Sequence, residues 1–142
     1  METKVITFHF QHPTFQLKER TAIRQWLNAC VTKSGEHIAE LNYQFCTDSF
    51  MHEANKQFLS HDYLTDILTF ETRSTHGISG DILISIDRVR DNARSHKTRV
   101  RDELHRVMAH GALHLLGYPD KSALEAKAMR TREDQWLHWR SF

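Results

Sequence analysis

The chain predicts an α+β domain: a small mixed sheet of about four strands packed by about five helices. Three observations carry that expectation. Segments that alternate apolar and polar residues are interleaved with segments whose apolar residues recur at helical spacing, in the order β-α-β-α-β-β-α-α-α. The 142 residues make one domain of ordinary size, residues 1–142, with no repeat, low-complexity tract or linker to divide it. Apolar residues at 39% and charged residues at 26% give a globular balance. A chain of this length buries roughly 68–70% of its unfolded surface and needs neither disulfides nor metal merely to fold.

Each element follows from local pattern. Lys4 to Phe10 reads as a first strand, with Val5, Ile6 and Phe8 among polar residues, and His12-Pro13 breaks it. Phe15 to Val31 reads as an amphipathic helix through Leu17, Ile23, Trp26, Leu27 and Cys30, stopped by Ser34-Gly35. His37 to Thr47 alternates, with Leu41, Tyr43 and Phe45 opposite Asn42 and Gln44, as a half-exposed strand at a sheet edge would. Asp48 is a candidate cap for a short helix from Ser49 to Leu59. Thr65 to Phe70 and Gly80 to Ile86 are short apolar runs around a loop, read as antiparallel neighbours. Asp87 to His96 forms a helix. Thr98 is a candidate cap for the next helix, which runs to Leu116 and stops at Gly117. Ser122 with Glu125 forms a capping box for a last helix ending near Trp139.

Composition excludes several function classes. A net charge of +1 gives no global argument for nucleic-acid binding. Two cysteines, Cys30 and Cys46, exclude a disulfide framework and fit a reducing cytosol. Val107 to Leu116 is the longest uncharged apolar stretch and falls far short of a membrane span. Met1 to Phe10 carries Glu2, Lys4 and His9 and shows no secretory signal, so a cytoplasmic location is expected. The outlier is histidine, with eleven residues.

Two of those histidines share a helix face. His110 and His114 are four residues apart, with Cβ atoms about 5–6 Å apart, so two imidazoles are able to converge on one ion. A third ligand must come from chain that turns back. Gly117 permits a left-handed residue, and Pro119 fixes the backbone before Asp120. His110, His114, Gly117 and Asp120 reproduce the spacing of the HExxHxxGxxH zinc sites, with a carboxylate in the third place. Three protein ligands and one open position for water describe a catalytic zinc site, one ion per chain. The blander reading of the same residues is two core histidines and a turn aspartate. Ser122 already caps the last helix, however, which leaves Asp120 without a local task. Gly111 in mid-helix costs about 1 kcal/mol relative to alanine and signals a close neighbour. It also stands where zinc proteases carry their general-base glutamate. A metzincin-like protease therefore lacks its base here, and the identity of any general base stays open.

Charge near the histidines favours an anionic substrate. Arg88, Arg90, Arg94, Lys97, Arg99 and Arg101 face a single acid, Asp91, and Arg106 lies one turn before His110. Such a run is either a solvated basic face or a phosphate track for RNA. Thr65 and Asp66 start a central strand and either line the site or cap a turn. Glu103 is too far along the helix for ligation and reads as structural, His105 reads as solvated, and Trp136 and Trp139 read as packing residues.

The motif His110-Gly-x-Leu113-His114-Leu115-x-Gly117-Tyr118 resembles that of the bacterial rRNA-maturation endoribonucleases called YbeY proteins. Asn55, Asp62 and the run Thr65 to Phe70 resemble the family's N…D-x-x-T-D-V-L-S-F segment, and Gly80-Asp81-Ile82 its G-D-I strand start. The resemblance implies a zinc-dependent, single-strand-specific endoribonuclease that acts on rRNA in 16S 3′-end maturation and ribosome quality control, with the ribosome or its small subunit as partner. Two positions depart from the family's usual pattern: Asp120 stands where it has histidine, and Leu59 where it has arginine. Another cation, His61 or an arginine of the 88–106 stretch, would have to clamp phosphate. An RNA-binding ribosome-assembly factor with a purely structural metal is the non-catalytic alternative.

Overall fold

The computed structural model of the protein describes residues 5–60 and 65–142. The elements run β1 (Ile6–Phe10), α1 (Arg20–Lys33), β2 (Ile38–Cys46), α2 (Asp48–Leu59), β3 (Ile67–Glu71), β4 (Ile78–Ser85), α3 (Ile86–His96), α4 (Val100–Leu115) and α5 (Ala123–His138). This is the predicted α+β order, with one four-stranded sheet in the order β1-β2-β4-β3. The first three of these are parallel, and β3 is antiparallel to β4, as a hairpin must be. The predicted strand at Lys4 begins outside the described residues.

Strand alternation sends Leu41, Tyr43, Phe45, Ile82 and Ile84 into one core, all fully buried, where helical residues such as Leu27, Met108 and Leu113 meet them. Among the described residues, the opposite face is covered where α2 lays Met51 and Ala54 against Leu68. Elsewhere it stays polar, and a row in register across three strands is bonded from Thr7 through Asn42 to Asp81. So β2 is an interior strand and not an edge. Its polar alternation reflects a face without a helix, not an unpaired side.

Four local expectations are corrected. The helix expected from Phe15 begins at Arg20; Glu19 before it is left-handed at φ 61°, and Leu17 is buried from an irregular segment that only mimics helical spacing. Thr47, not Asp48, caps α2, accepting a hydrogen bond from the Phe50 amide. Thr98 does not cap α4: Arg99 holds that position, and the Thr98 amide closes the end of α3 by donating to Ala93 O. His105 is not solvated. It is buried against Trp26 and Phe142, with Arg140 Nη1 donating to its Nδ1 at 2.8 Å. The capping box of α5 forms as expected, and Trp136 is a core residue. Cys30 and Cys46 are buried free thiols whose pKa values burial pushes up to about 12.

The placement of α4 decides where the histidines sit. A Cβ at Gly111 would lie 2.9 Å from Cδ1 and Cγ2 of Ile82 and 3.0 Å from Cδ1 of Ile67. The glycine lets the helix backbone settle directly onto β3 and β4, with His110 turned to the flank.

Candidate metal centre

His110 and His114 leave α4 one turn apart, their rings 4.5 Å apart and nearly perpendicular. The helix then ends in a Schellman motif: Gly117 N donates to His114 O at 2.9 Å and Tyr118 N to Leu113 O at 3.1 Å, with Gly117 at φ 101°. That reversal, followed by Pro119, carries Asp120 back over the histidine pair. The Nε2 atoms of both rings lie 3.2 Å from the same oxygen, Asp120 Oδ2. Ligand atoms of the three residues all fall within 4.8 Å of one another. Two imidazole nitrogens and one carboxylate oxygen, gathered at half-buried side chains, fit a small divalent cation of the zinc type.

The second nitrogen of His110 is also engaged. Its Nδ1 is 2.6 Å from Glu133 Oε2, and Arg106 Nη1 donates to the other oxygen, Oε1, at 3.0 Å. Arg106 also donates through Nη2 to Asp134. Burial works against charging His110, but Glu133, with smaller help from Asp120 and Asp66, holds its pKa above the ordinary histidine range. Burial pushes the Asp66 pKa up, against the pull of His110.

A cavity of about 310 Å³ opens beside the centre, lined by Asp66, His110, Asp120 and Glu133 together with Arg106 and Arg130. Thr65 and Asp66 precede β3, which is an edge strand of the sheet and not the central one expected; Asp66 reaches this cavity, whereas Thr65 Oγ1 turns to the Ile67 carbonyl at 3.2 Å. The basic stretch divides. Arg88 pairs with Asp48 and Asp91, Arg94 with Asp91, Arg101 with Glu19, and Arg106 with Glu133 and Asp134. Arg90 lines a separate depression with Val100 and Leu104, and Lys97 and Arg99 are exposed between α3 and α4. Glu103 is buried on α4, 3.7 Å from His96, and lines the same cavity as His110. Leu59 is exposed at the end of α2; His61 and Asp62 lie outside the described residues.

The family model described as Endoribonuclease YbeY matches residues 6–140. The chain belongs to the YbeY endoribonuclease family. It is 49% identical over 143 residues to the Endoribonuclease YbeY of Cytophaga hutchinsonii, covering 100% of both chains. It is 41% identical to that of Flavobacterium johnsoniae, covering 92% of this chain and 94% of the other. A solution structure of a Thermotoga maritima protein superposes with a TM-score of 0.60 at 25% identity, covering 96% of this chain and 92% of that one. The resemblance carried by the YbeY helix motif is thus shown for the whole domain. Among the described residues, no helix is long and apolar enough to cross a membrane.

Glu133 and Arg130 are site residues the sequence reading missed, and Glu133 is the more informative. Its signal was present: Met129, Glu133 and Trp136 form the buried stripe of α5, and a carboxylate at helical spacing between two core residues requires a partner.

Proposed function

We propose that this YbeY-family chain is a zinc-dependent endoribonuclease that cleaves single-stranded rRNA in the cytoplasm, serving 16S 3′-end maturation and ribosome quality control in association with the small ribosomal subunit. The observation that supports it most is the convergence of His110 Nε2 and His114 Nε2 on one oxygen of Asp120. When bound by these three residues, zinc supplies Lewis acidity, neutralising charge on a phosphate oxygen and lowering the pKa of water. The chain's own residues do the rest. Arg130 lines the cavity beside His110 and would hold a phosphate there. Asp66 lines the cavity, and burial raises its pKa, which makes it the candidate for proton exchange there. Lys97 and Arg99, exposed beyond α3, would steer flanking phosphates. Against the protease alternative, position 111 packs on Ile82 and Ile67 and leaves no space for a glutamate.

The test pairs metal analysis of purified protein with cleavage of an RNA presented single-stranded and as a duplex. Wild type should carry about one zinc per chain and cut only the single strand. Asp120→Ala should lose both metal and cleavage. Full cleavage by metal-free wild type overturns the proposal. A folded, metal-loaded wild type that binds RNA without cutting it supports the assembly-factor alternative.

A further inference from the structure

We propose that Glu133, itself held by Arg106, is a positioning residue that fixes the tautomer and orientation of His110; the inference rests on the metal-centre reading above. A neutral imidazole carries its proton on one nitrogen and offers a lone pair at the other. Both ring nitrogens of His110 face a carboxylate oxygen: Asp120 Oδ2 lies 3.2 Å from Nε2, and the contact at Nδ1 is shorter, which favours the proton on Nδ1 and leaves the Nε2 lone pair for a cation. At Nδ1, Glu133 Oε2 lies at 2.6 Å, an acceptor at hydrogen-bond distance. A carboxylate this deeply buried is costly unless both oxygens are satisfied, and Arg106 Nη1 takes the other at 3.0 Å. The guanidinium is in turn anchored by Asp134. The two partners come from different helices, Arg106 one turn before His110 on α4 and Glu133 on α5, so docking of α5 on α4 completes the centre.

The arrangement is asymmetric. Among the described residues, the hydrogen-bond partner recorded for the His114 ring is Asp120, whereas His110 is held on both sides. A lesion at Glu133 should therefore register at His110 and leave the His114 tautomer alone. The same geometry gives Arg106 a task other than phosphate contact, because both of its terminal nitrogens point to carboxylates.

The experiment uses the full chain and four proteins: wild type, Glu133→Gln, Glu133→Ala and Arg106→Met. Zinc affinity is measured by competition with a chromophoric chelator. Imidazole nitrogen shifts of the metal-free proteins are read by NMR above neutral pH. Glu133→Ala should bind zinc about 10–100-fold more weakly. Glu133→Gln keeps an acceptor and should recover part of that loss, and Arg106→Met should fall between it and wild type. His110 should be the Nδ1–H tautomer in wild type and in Glu133→Gln, and should shift toward Nε2–H in Glu133→Ala. Arg106→Met should leave the salt dependence of RNA binding unchanged. Wild-type zinc affinity together with an unchanged His110 tautomer in Glu133→Ala overturns the proposal. If Glu133→Ala does not fold, equal affinities for wild type, Glu133→Gln and Arg106→Met overturn it. If wild type itself takes up no zinc, the metal reading fails separately, and a tautomer shift in Glu133→Ala still supports the orienting role.

Discussion

Gly111→Ala tests whether close approach, and not helix propensity, fixes this glycine. In a helix interior alanine is favoured over glycine by about 1 kcal/mol. Here its Cβ would lie 2.9 Å from two atoms of Ile82, a fully buried residue, and 3.0 Å from Ile67 Cδ1. Overpacking of a filled core costs about 1–3 kcal/mol. The net expectation is a loss of about 1 kcal/mol, with the steric term exceeding the propensity gain. For 142 residues the unfolding entropy is about 0.3 kcal/mol per degree, so Tm should fall by about 3 °C. Ile82→Ala removes both offending Ile82 atoms. In that background Gly111→Ala should stabilise by about 1 kcal/mol, giving a coupling of about 2 kcal/mol in a double-mutant cycle of urea or thermal unfolding. Equal effects in the two backgrounds would refute the packing argument. So would a Gly111→Ala protein more stable than wild type.

Three other outcomes are expected. Burial, followed by Arg140 and Arg101, depresses the His105 pKa to about 4. The unfolded chain therefore binds the proton first: stability is full above about pH 6.5 and falls as pH drops toward 4, by about 3 kcal/mol in total. Denaturant unfolding of His105→Gln should lack that fall, and parallel pH curves for the two proteins would remove the assignment. Zinc at a hundredfold excess over its Kd should stabilise wild type by about 2.7 kcal/mol, or about 9 °C in Tm, and chelation should reverse the shift. Asp120→Ala should respond far less. RNA affinity should fall with rising salt by about 0.7 log units per log unit of salt for each phosphate contacted. Lys97→Ala and Arg99→Ala should shallow that slope, while Arg101→Ala, whose charge is paired with Glu19, should not. A flat salt response would remove phosphate tracking from this stretch.

The His110, His114 and Asp120 cluster was legible in the sequence because its three residues are local. His110 and His114 share a face through helical spacing alone, and Gly117 and Pro119 dictate the return of Asp120 within six residues. Glu133 was harder because its partner is set by how α5 docks on α4, a tertiary relation that spacing does not encode. His105 failed for the same reason. It lies on the α4 face that meets Trp26 and the C-terminal Phe142, and nothing in its neighbours' periodicity announces that contact. The false edge at β2 arose because alternation reports what covers a strand's faces and is silent on what pairs with its sides. The start of α1 was missed because Leu17 is buried without being helical.

If the proposed metal centre and the departures at Asp120 and Leu59 hold, the charges around the cavity set how strongly the site would attract phosphate. Two neutral imidazoles and the Asp120 carboxylate leave a divalent centre with one net positive charge, where a third imidazole would leave two. Phosphate attraction at the centre is correspondingly weaker. Leu59, exposed and apolar in place of the family's arginine, does nothing to restore it. Arg106 does not restore it either, because its guanidinium is held between Glu133 and Asp134. The burden falls on Arg130, which lines the cavity from α5, and on Asp66, whose raised pKa shifts that carboxyl toward its neutral form. Both Arg130, the proposed phosphate partner, and Glu133, the proposed orienting carboxylate, thus come from one helix. Its capping box at Ser122 begins just two residues after Asp120, so the turn that delivers the third ligand also sets the register of the helix that completes the site.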